Sequence, residues 1–133
     1  MRTHLRPGLI ALVVVGGAVG TLIRALLEES FGAGPGEWPW ATFAINVGGS
    51  FLLGLLVAVV TRWGGDPRVR LALGTGLLGG FTTYSTFVVE VDQLLRAGHV
   101  GLGAGYALAS VLLGVAASAA GLLLGGSRAE PAR

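Results

Sequence analysis

The chain has 133 residues, of which 53% are hydrophobic and 12% charged, and its formal net charge is +2. A soluble globular protein carries roughly a quarter of its residues as Asp, Glu, Lys or Arg, so this composition excludes an ordinary water-facing surface. The nine basic residues are arginines scattered between apolar runs, a pattern that argues against nucleic-acid binding. The absence of cysteine excludes disulfides and thiolate metal sites.

Four uncharged runs cover most of the chain, at 7–23, 38–61, 71–89 and 100–127. A membrane-spanning helix needs about 20 mostly apolar residues, so each run is long enough or nearly so. Extended to the expected helix ends, they predict transmembrane segments at about 7–27, 38–61, 71–95 and 100–126. The connections are too short for a soluble domain and force neighbouring helices to be antiparallel. We therefore expect residues 1–133 to form a single all-α domain in the lipid bilayer.

The first segment is rich in glycine and ends near an arginine. Gly16 and Gly20 form a small-residue face of the kind on which membrane helices approach closely, as Gly101 and Gly105 do in the fourth segment. The basic start of the chain also resembles a signal peptide, but no clear small-residue cleavage site follows. A charged residue in a span is costly, so Arg24 is expected to snorkel to headgroups, to attract anions at a vestibule or to clamp two helices.

The second segment follows two interfacial tryptophans, Trp38 and Trp40, and carries Asn46 about two turns from its start. An amide within a span can hydrogen-bond a neighbouring helix. Its NH2 group also offers two donors to an anion. Both interpretations of Asn46 remain open at this point.

The third segment contains an unusual stretch in which paired glycines precede several hydroxyl residues. We predict that the helix breaks near Gly79 to Thr82, because this pattern disfavours a continuous spanning helix. Irregular backbone at membrane depth is tolerated where protein buries it or a cavity wets it, and its free carbonyls can coordinate a cation. The alternative is a hydroxyl-rich packing face on an unbroken helix.

Two aromatic residues and several hydroxyls near this stretch are candidates for an anion pathway. Tyr84 and Phe87 lie three apart and hence on one helix face, where their positive ring edges could line such a path. Ser85 and Thr86 add hydroxyl donors, and Ser110 adds another from the fourth segment.

The four uncharged runs contain no Asp or Glu, and this excludes several mechanisms. Proton-coupled carriers need a carboxylate within the membrane, and catalysis needs a cluster of His, Cys or carboxylate side chains that the sequence does not suggest. We expect a passive pathway rather than a pump or an enzyme.

The motifs together resemble the Fluc family of fluoride channels, also called the CrcB or camphor-resistance family. The resemblance covers nearly the whole chain: the glycine-rich first segment ending in Arg24, the segment around Asn46, and above all the stretch from Gly79 to Phe87. It departs at Tyr84, where the family usually has Phe. The added hydroxyl leaves the ring edge available.

The resemblance implies an antiparallel dimer with two fluoride pores, which exports fluoride passively across the plasma membrane and so protects the cell from fluoride toxicity. It implies a central structural sodium ion held by the backbone carbonyls of Gly79 and Thr82 of each subunit. It further implies that Asn46 and the aromatic pair Tyr84 and Phe87 line each pore.

Two other classes of function remain as alternatives. A small four-helix multidrug exporter has a similar length but needs an acidic residue in its first helix, and none lies within residues 1–27. A non-transporting assembly or signalling protein would have little reason to keep costly polar residues in its spans.

The arginines predict the orientation of the chain. Seven lie on the side of the termini and the second connection, and two lie on the other side: Arg2, Arg6, Arg62, Arg68, Arg70, Arg128 and Arg133 against Arg24 and Arg96. The positive-inside rule therefore predicts cytoplasmic termini and one dominant orientation. An antiparallel pair would then be a heterodimer with an oppositely oriented homologous subunit, whereas dual insertion would allow a homodimer.

Overall fold

The computed structural model of the chain describes residues 6–126, and all regular elements in that range are helices. They are, in chain order, α1 (Pro7–Phe31), α2 (Trp40–Trp63), α3 (residues 67–81), α4 (Ser85–Arg96) and α5 (Val100–Gly126). Within the described range α1, α2 and α5 are each long and apolar enough to cross a membrane. The fourth crossing is divided between α3 and α4. The predicted all-α membrane fold of four segments, the third one broken, is confirmed.

The helices end at turns with clear local causes, and several run further than the charges suggested. Gly64 ends α2 with a left-handed φ of 61°, and the Asp66 side chain accepts a hydrogen bond from the backbone N–H of Arg68 at the start of α3. Helix α1 continues four residues beyond the expected position 27, and α3 begins four residues before position 71. A charged residue ends an apolar run but does not end a helix.

Helix α3 is not uniform, because its central part Arg70–Leu78 is a π-helix between the short α-helical pieces Pro67–Val69 and Gly79–Phe81. The backbone N–H of Gly79 accordingly donates to the carbonyl of Gly74, five residues earlier. Stretches of π-helix are rare and often lie at functional sites. This one ends three residues before the break begins.

The helices pack in two main pairs, α2 against α5 and α1 against α3. In the second pair, a Cβ added at Gly20 would lie 2.9 Å from the backbone nitrogen of Phe81, so only glycine allows this approach. Gly16 similarly contacts the α3 backbone, in agreement with the predicted small-residue face. The corresponding face of α5 stays a prediction, because Gly101 contacts no other helix within the described chain.

The break between α3 and α4 comprises residues 82–84, slightly later than the predicted stretch from Gly79 to Thr82. Gly79 is still helical, whereas Thr82 is extended with φ −77° and ψ 152°. The glycines allow close packing on α1, and the helix ends where contacts from α2 compete for its backbone groups.

Candidate functional site

The break is held by the side chain of Asn46, which projects from α2. Its Nδ2 donates to the Thr83 carbonyl at 2.8 Å, and its Oδ1 accepts from the Thr83 backbone N–H at 2.8 Å. Thr83 is buried, with 8% of its surface exposed. A buried backbone outside a helix needs such partners. The sequence left open whether Asn46 bonds a helix or faces an anion, and the structure shows the first of these contacts.

The same contacts free backbone carbonyls that a continuous helix would occupy. In an α-helix the N–H of Thr83 would donate to the Gly79 carbonyl, but here it donates to Asn46. The extended Thr82 turns its own carbonyl out of the helical ladder. Carbonyl oxygens are suitable ligands for a hard cation. The two groups expected to hold sodium, at Gly79 and Thr82, therefore fit that chemistry.

Beside the break lies an open cavity of about 370 Å³, which we call the central groove. Helices α2, α3, α4 and α5 and the break all contribute to its walls. It is lined by Asn46, Gly49, Ser50, Leu53, Gly74, Leu78, Gly79, Thr82, Thr83, Tyr84, Phe87, Ser110 and Val111.

The central groove brings together four of the predicted pathway residues: Asn46, Tyr84, Phe87 and Ser110. The Tyr84 and Phe87 rings lie 6.2 Å apart, and 79% of Tyr84 is exposed. The Ser110 hydroxyl is buried and has no hydrogen-bond partner within residues 6–126. It is therefore an available donor.

Ser85 and Thr86 are not part of the groove lining. Their hydroxyls lie 3.4 Å and 3.1 Å from the Thr83 hydroxyl, which also accepts from the backbone N–H of Thr86 at 3.2 Å. This network caps the start of α4, where backbone N–H groups lack helical acceptors.

Arg24 also lies outside the central groove, between α1 and α3. Its Nε donates to the Gly80 carbonyl at 3.2 Å, and its Nη1 lies 3.2 Å from a carboxylate oxygen of Glu28. Of the three roles considered for Arg24, these contacts are those of a clamp between helices.

Sequence reasoning missed a carboxylate among the helices, that of Glu90. One turn after Phe87, Glu90 accepts hydrogen bonds of 2.7 Å from the hydroxyls of Thr42 and Tyr106. Glu90 lies outside the third uncharged run but inside the predicted segment 71–95, and α4 carries it among the helices by continuing to Arg96. The available signal was a pair of polar residues, Thr42 and Tyr106, on otherwise apolar segments.

Glu90 lies between a second cavity and the aromatic residues beside the central groove. It lines a second cavity of about 440 Å³, which the loop at residues 32–37 covers. On its other side, the Tyr106 ring lies 5.4 Å from the ring of Phe87, which lines the central groove. A series of polar and aromatic groups therefore runs from the cavity under loop 32–37 to the central groove beside the break.

Comparison with known proteins identifies the family. The family model described as CrcB-like protein, Camphor Resistance (CrcB), matches residues 11–122. The chain belongs to the CrcB-like family.

Several named relatives of this CrcB-like chain are similar over most of their length. A protein of Agrobacterium fabrum named fluoride-specific ion channel FluC is 48% identical over 119 residues, which cover 87% of this chain and 94% of the relative. One of Novosphingobium aromaticivorans with the same name is 44% identical, covering 86% and 90%. A protein of Nocardia farcinica named fluoride-specific ion channel FluC 2 is 41% identical, covering 91% and 84%. The region matched by the CrcB model includes every residue of the candidate site.

Proposed function

We propose that this chain is a subunit of a fluoride-selective channel that lets fluoride leave the cytoplasm passively and so protects the cell from its toxicity. The names of the relatives support the permeant ion. The observation that carries the mechanism is a series of uncharged donors and aromatic rings between Glu90 and the central groove. Tyr106 donates to Glu90, and its ring lies beside that of Phe87, which lines the groove.

Fluoride is small and strongly hydrated, so a selective pore must replace its water while binding weakly enough at each site to release the ion. The free N–H of the Asn46 amide, the unpartnered Ser110 hydroxyl and the Phe87 ring edge offer such replacement without a fixed positive charge. Arg24 is engaged with Glu28 and Gly80, and we assign it to holding the helices. Helix α1 extends to Phe31 and so includes Glu28, one of whose carboxylate oxygens is paired with Arg24 while the other is buried without a partner within residues 6–126. The case against the exporter alternative therefore rests on the names of the relatives rather than on the lack of a carboxylate in α1.

The working unit in this proposal is an antiparallel dimer, formed with a second copy or with a homologous subunit. Its support is that the central groove is open on one side and that Tyr84 stands exposed beside it at membrane depth. A partner lying across the break would close the groove. The carbonyls of Gly79 and Thr82 from both subunits would hold a structural sodium ion, which would fix the two breaks against each other.

Flux measurements on the purified chain in liposomes test the proposal. Liposomes loaded with fluoride should release it rapidly when a counter-ion pathway is opened, whereas liposomes loaded with chloride should retain their contents. Equal release of both anions would contradict selectivity. Failure to release either anion, both from the chain alone and from the chain reconstituted together with an oppositely oriented homologous subunit, would contradict the channel itself, provided that the reconstituted protein is shown to be folded.

A further inference from the structure

The turn between α2 and α3 carries three arginines without an ion-pair partner. Within residues 6–126 the ion pairs are Arg24 with Glu28 and Arg96 with Asp92. Arg62, Arg68 and Arg70 belong to neither pair, and all three are exposed. The acidic residue of the turn, Asp66, uses a carboxylate oxygen on the backbone N–H of Arg68. Asp66 keeps its negative charge in that bond, so this end carries three positive charges against one negative charge in the described residues 62–70.

An apolar groove begins beside these arginines. This α2–α3 groove has a volume of about 320 Å³. Its walls are mainly apolar, with Arg70 as the single charged residue and Thr75 as a hydroxyl. It is lined by Leu53, Leu56, Val57, Arg70, Gly74 and Thr75.

An interfacial tryptophan lies at the same end. Trp63 has 68% of its surface exposed, and the guanidinium of Arg62 lies 5.8 Å from the centre of its ring. Trp63 follows Leu56 by seven residues, which places it on the groove-facing side of α2. Exposed tryptophans at helix ends mark the depth of the lipid headgroups.

We propose that the α2–α3 groove binds one anionic phospholipid of the bilayer. Its phosphate would lie among Arg62, Arg68 and Arg70 at headgroup depth, and one acyl chain would lie along Leu56 and Val57. Charge complementarity favours an anionic headgroup, because Arg70 lines the groove and Arg62 and Arg68 are exposed at the same end of α2 and α3 without an ion-pair partner within residues 6–126. The apolar residues of the groove favour an acyl chain that continues into the hydrocarbon of the bilayer.

The test uses Trp63 as a reporter in the full-length chain, reconstituted in vesicles. Tryptophan quenching by phosphatidylglycerol with brominated acyl chains is compared with quenching by equally brominated phosphatidylcholine. The contribution of Trp63 is the difference between the unmodified chain and Trp63→Phe. We expect half-maximal quenching of Trp63 at a severalfold lower fraction of brominated phosphatidylglycerol, and Arg70→Gln should reduce that preference about fivefold.

Two matched variants separate recognition of the lipid headgroup from binding of the acyl chain. Arg96→Gln removes an arginine at the C-terminal end of α4, away from the α2–α3 groove. It should leave the preference for phosphatidylglycerol unchanged. Val57→Phe fills the groove but keeps every arginine, so it should reduce quenching of Trp63 by both lipids. Equal quenching of Trp63 by the two lipids, or a preference that survives Arg70→Gln, overturns the proposal. A third result would also overturn the proposal: a Val57→Phe variant in which Trp63 is quenched normally but which no longer cross-links as a dimer. That result would mean that a partner subunit, and not a lipid, covers the groove.

Discussion

Asn46 combines two tasks that the sequence presented as alternatives. Its oxygen and one N–H hold the backbone of Thr83, while the second N–H of the amide remains for the central groove that it lines. The amide is suited to both tasks because it carries an acceptor and two donors on one planar group. Substitutions at Asn46 must therefore be judged for the fold of the break as well as for flux.

Asn46→Asp should reduce fluoride flux more than Asn46→Ala. Aspartate keeps an acceptor for the Thr83 N–H but sets a carboxylate oxygen against the Thr83 carbonyl, and when ionised it repels the anion. Alanine removes the donors without adding charge. Liposome efflux of both variants, each checked for monodispersity, measures the difference. Flux through Asn46→Asp that equals or exceeds that of Asn46→Ala would remove Asn46 from the pathway.

Phe87→Ile should abolish or strongly reduce fluoride flux while leaving the protein folded. Isoleucine fills much of the same space but offers no positive ring edge to an anion between the central groove and Tyr106. Phe87→Tyr keeps the ring and is the matched control. The same efflux assay applies, and unchanged flux in Phe87→Ile would show that the ring edge takes no part in permeation.

Thr42→Val should impair both flux and stability, and Thr42→Ser should restore both. Thr42 is 1% exposed, and its hydroxyl is one of two that bind the Glu90 carboxylate. Valine keeps the shape but leaves a carboxylate oxygen without that donor, which costs roughly 1–3 kcal/mol for a buried polar group. Thermal melting and efflux are measured on the three proteins. If valine and serine behave alike, the hydroxyl has no role.

At the scale of the elements, the sequence predicts the break in the third segment but not what shapes it. Paired glycines followed by hydroxyl residues disfavour a continuous helix, and this local signal was sufficient. The end of the helix at Thr82 and the carboxylate of Glu90 depend on partners 37 and 48 residues away, Asn46 and Thr42. The π-helical part of α3 likewise depends on its packing against α1. Periodicity and composition carry no information about such long-range contacts.

The seam between α1 and α3 offers a test of close packing with a control on the same helix. A Cβ at Gly20 would lie 2.9 Å from the Phe81 nitrogen, whereas a Cβ at Gly17 would lie an ordinary 3.8 Å from the Gly76 carbonyl oxygen. Gly20→Ala should therefore destabilise the fold by about 1–3 kcal/mol, the usual cost of overpacking. Gly17→Ala should be nearly neutral. The melting temperatures of the two variants are measured in detergent. Equal values would contradict the close packing of α1 against α3 at Gly20.

At the scale of the whole molecule, the described chain has oppositely charged ends. Loop 32–39 and its surroundings contain most of the acidic residues, whereas the turn between α2 and α3 presents Arg62, Arg68 and Arg70 without ion-pair partners in the described range. Of the two arginines expected at the acidic end, Arg24 lies within α1 and binds the Gly80 carbonyl. Arg96 is the last residue of α4 and pairs with Asp92, so both arginines of that end have an acidic partner.

This distribution supports the prediction of orientation. Arg2, Arg128 and Arg133 lie near the chain ends, outside the described residues, and arginines close to a span decide insertion. Without those three, four arginines at the terminal end still oppose two at the other end: Arg6, Arg62, Arg68 and Arg70 against Arg24 and Arg96. A protein that inserts both ways should have nearly balanced ends. We therefore predict one dominant orientation, with both termini in the cytoplasm, and an antiparallel partner supplied by a homologous subunit.

Terminal reporter fusions expressed in cells without any homologue measure the orientation directly. A reporter active only in the cytoplasm and one active only outside are each fused to the C-terminus, and the cytoplasmic reporter should dominate by a wide margin. Arg62→Gln with Arg68→Gln and Arg70→Gln should reduce that margin, because the arginines on the terminal side then fall from seven to four, against two on the other side. Comparable signals from the two reporters on the unmodified chain would mean dual insertion, and the antiparallel dimer would then need only one kind of subunit.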